Sequence, residues 1–228
     1  MSNTRDVSSF DIIGPIMVGP SSSHTAGAVR LGLIGAAVLG GQPTDALIEL
    51  HGSFAHTGQG HGTDKALVAG LLGMPTDDDN LRYSFAIAAE RGMAFRLAET
   101  DLGDDAHPNS VRLTLSGADG RQVQLTGASV GGGMVQVTGI QGYPVSFGGE
   151  YETLIVIADD RPGTINLITH WFLEKQLNIA FFRVERQQRR GRAIMIIEVD
   201  EPIPPEAVEA ISDFEWVHWV RKIEKVST

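Results

Sequence analysis

"ETLIVIADDRPGTINLITHWFLEKQLNIAFFRVERQQRRGRAIMIIEVDEPIPPEAVEAISDFEWVHWVRKIE", residues Glu152 to Glu224, reads in turn as strand, helix, strand, strand, helix and strand. Pro162 and Gly163 end the first strand and open the helix behind it. That order is a ferredoxin-like βαββαβ unit of about eighty residues. The glycine pair Gly148-Gly149 just ahead of it makes a natural boundary, so two units are expected, 1–149 and 150–228.

Upstream of the boundary the pattern differs. Small and aliphatic residues from His24 or Thr25 to about Leu39 fit a helix buried on most sides and closed by Gly40-Gly41. "TDALIELHG" then reads as a strand, and the glycine-rich "GSFAHTGQGHG" as a connecting loop into a second helix near Thr63 to Leu72. A loop at Asp77 to Asn80 and a third helix around Arg82 to Arg91 follow. From Phe95 onward, "VRLTLSG", "RQVQLTGASV", "MVQVTGI" and "YPVSFGG" alternate as strands of a small antiparallel sheet, with Asp119-Gly120 as a hairpin turn. The fold class is therefore α+β, an N-terminal α/β unit followed by the βαββαβ unit.

The chain carries 28 acidic against 18 basic residues, a net charge of −10, which repels nucleic acid and anionic membrane surfaces. It has no cysteine, which excludes a thiol nucleophile and any cysteine-held zinc or iron–sulfur centre within the chain. The N-terminus lacks the basic and apolar regions of a signal peptide, and the longest apolar run is broken by Gly32 and Gly35. A soluble cytoplasmic protein is expected.

"PSSSHT", Pro20 to Thr25, stands at the start of the first helix. A serine in that place is ordinarily a cap, but three exceed what one cap requires. No acidic residue occurs from Ile12 to Thr44, where composition alone would place about four. The helix start therefore leaves its N–H groups and dipole to an outside anion, a carboxylate or phosphate. No G-x-x-x-x-G-K-[ST] and no G-x-S-x-G is present, which argues against a P-loop and a serine hydrolase elbow. His24 as activator of a neighbouring serine is disfavoured, because adjacent residues on a turn rarely present both groups to one substrate atom.

His51, His56 and His61 are five apart, which suits no helical metal pair. His61 lies between Gly60 and Gly62 with Asp64 close enough to orient it, and imidazole suits proton transfer near neutral pH. Its plain alternative is a surface histidine on a loop. His107 in "HPN" is a second candidate, against the plain reading of a turn; His170 and His218 look structural. "GGG" at Gly131 to Gly133 allows close approach of a ligand or a second chain, or equally a hairpin or bulge.

"FDIIGPIMVGPSSSHTAG", "GSFAHTGQGHGTDKALVAGLLG", "HPNSV", "SVGGGMVQV" and the tail from "DRPGTI" together resemble, in the same order along essentially the whole chain, the beta subunit of the bacterial iron–sulfur-dependent L-serine dehydratases. The resemblance implies conversion of L-serine to pyruvate and ammonia, with a [4Fe-4S] cluster held by cysteines of a separate alpha subunit. It also implies that 1–149 is similar to the regulatory substrate-binding domain of some phosphoglycerate dehydrogenases. The tail, 150–228, would be an ACT domain, which often binds amino acids and self-associates. Carried onto this sequence, it implies that Ser21, Ser22, Ser23 and Thr25, with Asn109, bind the substrate. His61 is then the base or proton relay, with His24 and His107 behind it, and no metal ligand comes from this chain.

Two other readings stand beside this one. A purely regulatory subunit would use the same carboxylate site without chemistry, and needs no base. A pyridoxal-phosphate enzyme needs a Schiff-base lysine and a phosphate cradle, yet Lys65 is the only lysine in the first 150 residues and no phosphate motif is near it.

Overall fold

The computed structural model describes residues 21–226, with the side chains of residues 57–59 left aside. A π-helical turn, Ser22–Ala26, runs straight into helix α1, Gly27–Leu39. Leu31, Ile34 and Val38 are fully buried, because α1 lies between a sheet and other helices. The helix stops at Gly40, whose φ of 93° is easy only for glycine; its N–H donates to the carbonyls of Ala36 and Ala37.

Strand β1, Asp45–Leu50, is followed by α2, Ser53–His61, and α3, Thr63–Leu71. A 3-10 turn at Leu81–Tyr83 leads into α4, Ser84–Glu90, and β2, Ala94–Glu99. β1 and β2 pair in parallel across that helical crossover. The strands β3, Ser110–Ser116, β4, Gln122–Gly131, β5, Met134–Ile140, and β6, Tyr143–Phe147, continue the sheet antiparallel. The small antiparallel sheet expected from the sequence is thus part of a six-stranded mixed one, ordered β2-β1-β3-β4-β5-β6.

The glycine-rich loop expected at Ser53–His61 is instead helical. Its start is fixed from outside: the Ser53 N–H donates to the Pro108 carbonyl at 2.7 Å, and Phe54 is fully buried. Burial of that anchor overrides the weak helix propensity of glycine. α1 and α3 cross with backbones touching, since a Cβ on Gly32 would stand 2.8 Å from Gly70 Cα.

The tail contains β7, Glu152–Asp159, α5, Thr164–Glu174, β8, Ile179–Arg186, β9, Arg192–Val199, α6, Glu206–Ser212, and β10, Val217–Ile223. These are the strand–helix alternations read from the sequence, in an antiparallel sheet ordered β10-β7-β9-β8. One face carries Leu154, Val156, Met195 and Ile197 against Ile168, Phe172 and Ile211 of the two helices. From the other face Ile155, Ile157, Ile194, Ile196 and Ile223 join the core of the first unit. The runs "LIVIA" and "AIMII" are continuously apolar because the central strands are buried on both sides. Arg221 of β10 fastens the seam, donating from Nε to the Val38 carbonyl at 3.1 Å and from Nη2 to that of Leu39 at 3.4 Å. Among the described residues no helix is long and apolar enough to cross a membrane.

Candidate active site

The serines and histidines of interest gather at the N-terminal end of α1. Ser21 is the cap of the π-helical turn, its Oγ accepting from the His24 N–H at 3.3 Å. The same oxygen lies 3.3 Å from Ser23 Oγ, and Ser23 Oγ lies 3.1 Å from His24 Nδ1. On the opposite side of the ring, His24 Nε2 meets Ser53 Oγ of α2 at 3.2 Å. Both imidazole nitrogens are therefore held by hydroxyls, which can donate or accept and so suit either tautomer.

The His24 ring packs edge-on to Phe54, with centroids 5.5 Å apart, and lies 5.2 Å from the ring of His61 at the end of α2. Burial, and then the neighbouring His61, lower the His24 pKa from the ordinary 6.5, so its neutral form prevails at neutral pH. Among the described residues the His61 ring makes no hydrogen bond, and it is exposed. Among the described residues no contact joins Asp64 to the His61 ring, although the sequence suggests one; Asp64 Oδ1 accepts from the Lys65 N–H at 2.8 Å in the first turn of α3, where free N–H groups are close. Thr25 is buried, and its hydroxyl donates to the His61 carbonyl at 3.5 Å, joining the two histidine-bearing segments.

No acidic residue lies in the first turn itself, where a carboxylate would otherwise take the free N–H groups. Directly behind it, Ser129 of β4 comes so close to Gly27 that an added Cβ would stand 2.7 Å from Ser129 Cβ. Asn109 is next to this strand, its Nδ2 donating to the Ser129 carbonyl at 3.4 Å. Gly131, Gly132 and Gly133 form the turn of the β4–β5 hairpin with φ of 108°, 60° and 78°. Buried Arg30 of α1 holds that turn, donating from Nη1 to the Gly133 carbonyl at 2.6 Å.

The structure brings together Ser21, Ser23, His24, Thr25 and His61, with Ser22 in the same turn and Asn109 one strand away. His107 is exposed, its Nδ1 accepts from the Asn109 N–H at 3.1 Å, and among the described residues no contact joins its ring to His24 or His61. Sequence reasoning missed Ser53 and Ser129. Ser53 stands inside the quoted "GSFAH", but its partner His24 is 29 positions away and only the fold joins them. The part of the first motif before Ser21 lies outside the described residues, and among those described no three potential ligands form a metal-binding group.

A family model described as serine dehydratase beta chain matches residues 8–97. The L-serine dehydratase beta chain of Peptoniphilus asaccharolyticus is 37% identical over 206 residues, covering 90% of this chain and 93% of that relative. The chain belongs to the serine dehydratase beta-chain family. Beta-chain similarity also extends into longer proteins. L-serine dehydratase 2 of Escherichia coli is 30% identical over 156 residues, 57% of this chain but 33% of that enzyme. The D-3-phosphoglycerate dehydrogenase of Methanocaldococcus jannaschii is 28% identical over 134 residues, 59% of this chain and 25% of that protein.

Proposed function

We propose that this chain is the substrate-binding half of an L-serine dehydratase that releases ammonia from L-serine and leaves pyruvate. The observation that carries the reading is the meeting, at one helix start, of an acid-free serine turn with a neutral, hydroxyl-held His24 and a His61 ring that packs beside it and, among the described residues, makes no hydrogen bond. The substrate carboxylate would take the first-turn N–H groups and the hydroxyls of Ser22 and Ser23. His61 would remove the α-proton, while His24 stays neutral and positions the neighbouring hydroxyls. Loss of water then gives aminoacrylate, which hydrolyses to pyruvate and ammonia. A purely regulatory subunit would need the carboxylate site but neither histidine.

With no cysteine and, among the described residues, no three-ligand group, this chain does not fit as the holder of an iron–sulfur cluster. In the proposed complex the cluster belongs to a cysteine-bearing alpha subunit. The longer Escherichia coli relative accords with this reading, since 57% of this chain aligns with 33% of it and leaves the greater part of that enzyme without a counterpart here. The tail is proposed as an ACT domain from its element order and its β10-β7-β9-β8 sheet, with β8 as the edge along which two copies would associate. The test is anaerobic assay of pyruvate from L-serine by this chain alone and with the partner. Turnover is expected only from the mixture; turnover by this chain alone would refute the division.

A further inference from the structure

The densest positive charge lies far from the histidines, in the β8–β9 hairpin. Between Arg183 and Arg192 there are five arginines and one acid, Glu185, in a chain of net charge −10. Two arginines are committed: Arg183 to Glu198 at 2.5 Å, and Arg186 to Asp160 at 3.0 Å. Among the described residues the guanidinium groups of Arg190 and Arg192 have no ion-pair partner.

That is not for want of an acid nearby. Arg192 stands opposite Asp159 in the β7–β9 pairing, yet Asp159 is taken by His218 Nε2 at 2.7 Å. Asp160 is taken by Arg186 and by the Arg190 N–H at 3.1 Å. Other donors thus satisfy both acids and leave the two guanidinium groups available. Arg190 also has a φ of 62°, a conformation uncommon in a residue other than glycine.

These groups border an open cavity of about 450 Å³ between the two sheets, lined by Tyr143, Asp159, Gln187, Gln188, Arg190 and Arg192. Its size is in the range of small-molecule sites, and guanidinium forks match clustered anionic oxygens. We propose that this cavity binds a small multivalent anion carrying phosphoryl or carboxylate oxygens, held by Arg190 and Arg192 with the amides of Gln187 and Gln188 as neutral donors. A polymeric anion is disfavoured by the acidic remainder of the surface. The cavity lies where Tyr143, at the start of the last strand of the first sheet, faces the β8–β9 hairpin of the second, and binding there to the folded chain would raise stability.

The test is calorimetric titration of the full chain with inorganic phosphate and with citrate, alongside thermal unfolding with each anion and with sodium chloride at matched ionic strength. One saturable site per chain is expected for at least one anion, and the better binder separates the phosphoryl from the carboxylate source. Arg190→Gln with Arg192→Gln, both exposed, is expected to weaken binding about tenfold or more, the worth of a charge-assisted hydrogen bond. Arg96→Gln, exposed on β2, should bind as the parent does. Absence of saturable binding, binding indifferent to the paired substitution, or stabilisation matched by sodium chloride would each overturn the proposal. So would a paired variant that binds both anions normally but no longer assembles with the alpha subunit, which would make the hairpin a protein-docking surface.

Discussion

Gly70→Ala and Gly60→Ala are the same chemical change, one methyl group added within a helix, and they are expected to move stability in opposite directions. Each gains about 0.8–1 kcal/mol of intrinsic helix propensity. At Gly60, in α2, an added Cβ meets nothing within 4 Å, so the gain stands. With about 2–4 °C per kcal/mol for a chain of this size, the melting temperature should rise by about 2–4 °C. At Gly70, in α3, the added Cβ would lie 2.9 Å from Gly32 Cα and from the Leu33 nitrogen, and closer still to the Val29 carbonyl oxygen. Ordinary contact is 3.4–4 Å, and the obstacles are backbone atoms of α1 that no rotamer change removes. Overpacking of this kind costs about 1–3 kcal/mol, and because the obstacles are backbone the upper end applies, which outweighs the propensity gain by about 2 kcal/mol. Thermal denaturation followed by circular dichroism should show Gly70→Ala melting about 4–8 °C below the parent. A Gly70→Ala protein as stable as the parent, or more so, would refute the backbone contact between α1 and α3.

Arg221→Ala removes both bonds to the C-terminal carbonyls of α1, and should lower unfolding free energy in urea by about 1–3 kcal/mol while speeding amide exchange at the end of that helix. Arg183→Met removes the Arg183 ion pair from the buried Glu198 carboxylate, and is expected to cost about 1–3 kcal/mol in the same assay, discounted for the partial exposure of the arginine. His24 should titrate below 6.5 by nuclear magnetic resonance. Because its folded-state pKa is the lower one, the unfolded chain takes up the proton first as pH falls through about 6.5, so stability declines from there downward. His24→Gln should remove that part of the decline; an unchanged pH profile would contradict the assignment.

The tail was legible because its two central strands hold long apolar runs and strong turn signals such as Pro162-Gly163 punctuate it, and Gly40-Gly41 marked the end of α1 for the same local reason. What the sequence hid is long-range. The parallel pairing of β1 with β2 joins segments separated by three helices, and no local pattern announces it. The Ser53–His61 helix contradicts its own composition and depends on the Pro108 carbonyl and the buried Phe54 ring. At the site, the acid-free serine turn and His61 could be named from their neighbours in sequence. Ser53, by contrast, acquires meaning only when α2 is laid against His24.

The serine and histidine end of α1 is tested most directly by steady-state pyruvate formation from L-serine, comparing the anaerobically assembled complex of the parent chain with those of His61→Gln and His24→Gln. With assembly intact by gel filtration, His61→Gln is expected to lower kcat/KM by about 10²–10⁴, the usual contribution of a positioned general base, and His24→Gln to lower it as well. Parent-like turnover from both variants would mean that the chemistry takes place elsewhere.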